Sequence, residues 1–116
     1  MMHPDELVYS LHSEKINHMR PLDQQRSTGI YSPGASKEFR IYGLEWTEDH
    51  IAFLLDGREV CCYERKGAQD VETWPFDQPF FLILNIAVGG FMGGPVRDEE
   101  LPFEMIVDYV RVYQKV

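Results

Sequence analysis

Apolar positions are most concentrated between Phe80 and Val88, where a run of aromatic, branched and aliphatic residues is interrupted only by Asn85. Pro79 precedes it and Gly89-Gly90 follow, so the pattern predicts a central strand buried on both faces. Alternation sets Phe81, Ile83, Asn85 and Ala87 on one face against Phe80, Leu82, Leu84, Ile86 and Val88 on the other. Asn85 marks its face as the one nearer polar groups. A hydrogen-bonded structural amide and a ligand contact both fit that position.

Upstream, Leu7 to Ser13 alternates, with Leu7, Tyr9 and Leu11 opposed to Val8, Ser10 and His12, as a half-buried strand does. Glu14 to Lys37 is polar and rich in turn residues, which predicts a long loop broken by a short strand near Ile30-Tyr31. Glu38 to Trp46 alternates again. A turn at Thr47-Glu48-Asp49 leads into Ile51 to Leu55, and Asp56-Gly57 is a hairpin signal before Glu59 to Tyr63, so three strands form a meander. Glu64 to Thr73 is a charged loop that delivers Trp74. The closing stretch Met105 to Gln114 is a last strand, with Asp108 on the face of Ile106, Val110 and Val112; a carboxylate there needs a cation or a donor network. The elements predict an all-β, antiparallel sandwich.

Composition narrows the partners. At 116 residues, with 44% hydrophobic and 26% charged, the chain has the make-up of one globular domain. No apolar stretch reaches the roughly 18 residues of a membrane span. The net charge of -8 and the scattered basic residues argue against a nucleic acid. A neutral polysaccharide is compatible with this charge. Cys61 and Cys62 are adjacent, so on a strand they point to opposite faces and make poor partners for each other. The N-terminal MMHPDEL has neither the basic nor the apolar region of a signal peptide, and no His/Cys cluster has zinc spacing.

Three groups of polar and aromatic residues carry candidate chemistry. Ser10 and His12 share the polar face of the first strand. Trp74, flanked by Pro75 and Phe76, is placed to stack on a sugar ring or to cap the edge of the sandwich, with Asp77 and Gln78 offering hydrogen bonds. Trp46 could stack on a sugar ring, but set in an alternating apolar strand it reads as core.

The run WPFDQPFFLILNIAVGG, the Pro102-Phe103 turn and the closing MIVDYVRVYQ resemble the C-terminal half of glycoside hydrolase family 16, especially its laminarinase-like β-glucanases. VYSLHSEKINH and FRIYGLEWTEDHIAFLLDG match, in order, the strands that follow the catalytic motif there. The resemblance runs from about Asp5 to Gln114. It implies a concanavalin-like jelly roll, incomplete here at about six or seven strands, and a single partial domain over residues 1–116. It also implies an extracellular or periplasmic setting, hydrolysis of O-glycosyl bonds in β-1,3 or mixed-linkage glucans, and a β-glucan as partner. By the same resemblance Ser10 and His12 line the glucan cleft, and Asn17 with His18 matches an Asn-His pair at its border. Trp74, Gln78 and Asn85 complete the expected substrate contacts. No cofactor is required, although many members hold a structural calcium through the Asp that matches Asp108.

Retaining glycosidases need two carboxyl groups about 5 Å apart. The family carries them on one strand as E-x-D-x-x-E, and no Glu in this sequence has an Asp two positions on. The resemblance places that motif just ahead of the residues that match Met1 to Asp5, so no catalytic residue is assigned. Activity alone is not expected. A non-catalytic carbohydrate-binding sandwich is the alternative, as is a structural fragment that oligomerises through exposed strand edges.

Overall fold

A computed structural model describes residues 3–68 and 70–116. The backbone separates into two compact units, residues 3–81 and residues 82–116.

Residues 3–81 hold five strands: β1 (Glu6–Leu11), β2 (Arg26–Tyr31), β3 (Tyr42–Trp46), β4 (His50–Leu55) and β5 (Arg58–Glu64). They form an antiparallel pair, β1-β2, and an antiparallel meander, β3-β4-β5. The architecture is all-β, with two sheets that do not close, an incomplete sandwich. The meander and the first strand agree with the sequence pattern. β2 is longer than the expected fragment near Ile30-Tyr31, because its ladder with β1 runs from Glu6↔Tyr31 to Leu11↔Arg26. Backbone pairing extends the strand through Arg26, Ser27 and Gly29, whose side chains give no strand signal of their own.

The inward faces of the two sheets make a small core. Tyr9 and Leu11 from β1, Ile51 from β4, and Trp74 from the loop after β5 are buried, and Ala52 is buried on the other face of β4. Phe53, Tyr63 and Phe76 pack against Leu11, Ile51 and Trp74. Polar groups join the sheets beside this core. The Tyr63 hydroxyl lies 2.8 Å from Thr28 Oγ1 and donates to the Tyr9 carbonyl at 3.4 Å. Burial raises the Tyr63 pKa, as removal from water disfavours the phenolate.

The hairpin between β4 and β5 follows from its turn residues. Asp56 at φ 50° and Gly57 at φ 79° occupy the left-handed region that a two-residue turn of matching twist requires. Asp56 also closes the preceding connection, its Oδ1 accepting from the Ile41 amide at 3.0 Å and its Oδ2 from Arg40 Nη1 at 3.3 Å. Glu38 to Ile41, expected inside a strand, lie outside β3: Glu38 closes the preceding turn through its amide on the Gly34 carbonyl, and the Ile41 amide is taken by the Asp56 side chain. Cys61 and Cys62 on β5 are free thiols.

Two expected strands do not form. Neither Phe80–Val88 nor Met105–Gln114 enters a ladder among the described residues. Their large side chains face solvent, with Phe81 84%, Ile83 68% and Val112 90% exposed. Burying both faces of a strand takes flanking strands and a packed layer over each face, and apolar content cannot supply those neighbours. Asp108, expected on a buried face, is exposed, and the penalty that would have demanded a partner disappears.

Within residues 82–116 the regular elements are a helical turn, α1 (Gly90–Gly93), and a 3₁₀ turn over Asp98–Glu100. Gly89 sits at φ 79°, and a Cβ there would meet Val96 Cγ2 at 2.8 Å, so this position requires glycine.

Candidate functional site

The outward face of β1 carries Val8, Ser10 and, just past the strand, His12. Register places Ser10 opposite Ser27 of β2, and their hydroxyls lie 2.7 Å apart. Two hydroxyl protons serve this pair and only one bridges it, so the other is free to donate outward.

Beyond β1 the chain is folded back by its own side chains. Asn17 Nδ2 donates to the carbonyls of Ser13 and Glu14, both at 3.0 Å, and Asn17 Oδ1 accepts from the Met19 amide at 3.0 Å. Asn17 thus spends its amide on loop backbone, as Asn does in local turns. Lys15 fixes the same loop from outside, through its amide on the Glu72 carbonyl at 2.9 Å and an ion pair with the Glu72 carboxylate. The result sets the His18 ring 5.3 Å from that of His12, tilted by 47°.

Ser10, His12, Asn17 and His18, together with Gln25 and Ser27, border one shallow recess of about 40 Å³. Gln25 Nε2 is tied to the Arg20 carbonyl at 2.6 Å. The groups left to face a ligand are two imidazoles and a hydroxyl pair. They can hold sugar hydroxyls by hydrogen bonds, but they contain no carboxylate, and glycoside cleavage needs two. Three expected site residues, Ser10, His12 and Asn17, therefore meet in one place. Asn17 shapes the recess instead of offering a free amide to it. Ser27 and Gln25 were not singled out from sequence; Ser27 reaches the recess through the pairing of β2 with β1, and Gln25 stands just ahead of that strand, so neither carries a local signal.

The second aromatic group is arranged differently from expectation. Trp74 is 0% exposed, its Nε1 donating to the Glu48 carbonyl at 2.9 Å and its ring against the edge of Phe76 at 5.1 Å. It caps the core, and it presents no face to a sugar. Trp46, expected in the core, is 42% exposed. It lies on β3, an edge strand, opposite Ile51, with Nε1 donating to the Phe76 carbonyl at 2.6 Å. Gln78 borders an open recess with Trp46, Phe76 and Asp77. Asp77 is held by Arg65 at 3.4 Å.

Asn85 and Asp108 belong to residues 82–116, and both are exposed. Among the described residues no three His, Cys, Asp or Glu side chains converge to hold a metal ion. Asp108 stands in no such group among the described residues.

The model of the glycosyl hydrolases family 16 matches residues 9–111. The chain belongs to glycosyl hydrolase family 16. A beta-glucanase of Rhodothermus marinus is 40% identical over 97% of this chain, which covers 41% of that protein. Glucan endo-1,3-beta-glucosidase A1 of Niallia circulans is 37% identical over 82% of the chain, equal to 15% of its own length. The solved laminarinase from Rhodothermus marinus superposes with a TM-score of 0.58 at 31% identity, over 66% of this chain and 31% of that one. The chain thus spans less than half the length of these family 16 relatives. Its antiparallel sheets are those of a jelly-roll laminarinase in part, which accounts for sheets left open at their edges.

Proposed function

We propose that this chain forms a single partial family 16 domain that contributes part of the glycan-binding wall of an endo-β-glucanase. Its ligand in this reading is a β-1,3 or mixed-linkage glucan. The observation that carries the proposal is the convergence of Ser10 and His12, on the outward face of β1 and just past it, with His18 of the following loop, which Asn17 holds. The known activities of the relatives supply the reaction class, hydrolysis of O-glycosyl bonds. With no carboxylate in the recess and no E-x-D-x-x-E in the sequence, this chain binds glucan without cleaving it alone. Gln78 and Asn85 remain proposed sugar contacts of secondary weight. Calcium has no part in the role proposed here.

The test joins a binding isotherm on laminarin and mixed-linkage glucan with reducing-sugar release from the same sample. Binding without release is the expected result. Absence of binding removes the proposal, and release would mean that acids of this chain perform the chemistry.

The exposed apolar runs favour one further reading of partnership. Phe80–Val88 and Met105–Gln114 carry backbone groups outside any ladder and side chains in water, which invites pairing between chains. We propose homo-oligomerisation through these stretches, and light scattering that finds a monomer at high concentration would refute it.

A further inference from the structure

Charge is distributed unevenly around the Ser10–Ser27 recess. The chain carries 19 acidic residues among 116, yet none of the residues bordering this recess is acidic. His12, His18 and Arg26 are among the residues that border it.

Arg26 is unusual in its surroundings. Its guanidinium carbon lies 5.4 Å from the centre of the Trp74 ring, and Nη1 is buried without a hydrogen-bond partner. No carboxylate pairs with it among the described residues, and burial lowers its pKa. Partly buried cations normally have an anion close by, because their field is poorly screened on the protein side. Alternation along β2 turns Arg26 inward and Ser27 outward, so the cation backs the recess while the hydroxyls and imidazoles front it. Each neutral imidazole has one N–H, and the serine pair has one spare O–H. The recess thus combines donors at its mouth with an uncompensated positive charge behind it.

We propose that this recess accepts an acidic substituent of a glycan, a sulfate ester or a uronate carboxylate. The inference rests on the recess being the sugar-facing surface, and it extends the ligands of that surface from neutral glucan to glucan-like chains bearing anionic groups. Anionic oxygens take charge-assisted hydrogen bonds from the imidazoles and the serine hydroxyl, which are stronger than those a sugar hydroxyl would form. Arg26 adds an attraction that salt screens and that a neutral ligand does not feel.

The experiment compares laminarin oligosaccharides of one length in three forms, neutral, sulfated, and oxidised to the uronate, by calorimetric titration of the 116-residue chain. Inorganic sulfate serves as the free-anion control. The expected result is about tenfold tighter binding of at least one acidic form at low salt, shrinking at about 0.3 M salt. Whichever acidic form binds more tightly identifies the substituent. Ser27→Asp places a carboxylate in the recess and is expected to abolish the preference, while His18→Ala is expected to reduce it. Equal affinity for all three forms overturns the inference, and so does a preference that survives Ser27→Asp. Inorganic sulfate competing as well as the acidic oligosaccharide would also overturn it, by showing that the sugar takes no part. Binding of acidic forms alone, lost in Ser27→Asp, would retain the inference and refute the neutral-glucan reading.

Discussion

Asp5 fastens Ser36. One carboxylate oxygen, Oδ1, accepts both the Ser36 amide at 2.9 Å and the Ser36 hydroxyl at 2.8 Å, while Oδ2 accepts the Gly34 amide at 3.0 Å. The Ser32 amide also donates to the Asp5 carbonyl at 2.9 Å. The residue just ahead of β1 thus holds the turn that follows β2, and the pair is clasped at its Glu6↔Tyr31 end.

These bonds favour the charged carboxylate, chiefly the one from the Ser36 amide, and lower the Asp5 pKa from 3.8 to about 2. A depressed folded-state pKa stabilises the fold above the unfolded value and loses that contribution as pH falls through 3.8 toward about 2. Asp5→Asn should therefore flatten the acid limb of the stability curve in this window and leave its shape near neutrality unchanged. Thermal melts of both proteins across the window check it. A wild-type acid limb that persists in Asp5→Asn would show that the clasp does not carry this dependence.

Trp74 should behave as core and Trp46 as surface. Trp74→Ala removes the largest fully buried side chain and is expected to cost about 3–5 kcal/mol, a large share of the roughly 5–15 kcal/mol that holds an ordinary domain folded. Trp74→Phe keeps the apolar volume in part and gives up the bond to the Glu48 carbonyl, with a smaller loss. Acrylamide quenching distinguishes the two indoles without unfolding anything. Emission from Trp74 in Trp46→Phe should be protected, while emission from Trp46 in Trp74→Phe should be readily quenched.

The bond between the sheets gives a third expectation. Tyr63→Phe leaves Thr28 Oγ1 without its partner and should cost about 1 kcal/mol, whereas the double change with Thr28→Val removes both polar groups and should cost less than the sum. Urea denaturation of the four proteins measures the coupling. A coupling near zero would mean that solvent replaces the bond freely.

What the sequence revealed and what it concealed follow from one distinction. Local periodicity was enough for β1, for the meander and for the Asp56-Gly57 hairpin, because each is specified by neighbours along the chain. β2 was only partly legible: Arg26, Ser27 and Gly29 become strand by pairing with β1, a relationship that periodicity does not contain. The same limit acts in reverse at Phe80–Val88, where strong apolar content reads as a central strand but nothing in the ladder flanks it. At the site, alternation found Ser10 and His12 together. It could not separate the two tryptophans, since burial of Trp74 and exposure of Trp46 depend on which sheet face is covered. Asn17 was found as a site residue, yet its three loop bonds make it a positioning residue.

That last distinction can be measured. His12→Ala removes a group that faces the ligand, so glucan affinity should fall by about tenfold with little change in stability. Asn17→Ala removes three bonds that hold the 13–19 loop, and its effect on binding should pass through the position of His18. Shortening the asparagine should therefore lower affinity while loosening the loop, visible as faster amide exchange at Ile16 and Met19. Asn17→Asp keeps an acceptor for the Met19 amide but loses the two donated bonds, and it is expected to fall between wild type and Asn17→Ala in both exchange and affinity. If Asn17→Ala weakened binding while exchange at Met19 stayed at the wild-type rate, Asn17 would be touching the glycan directly.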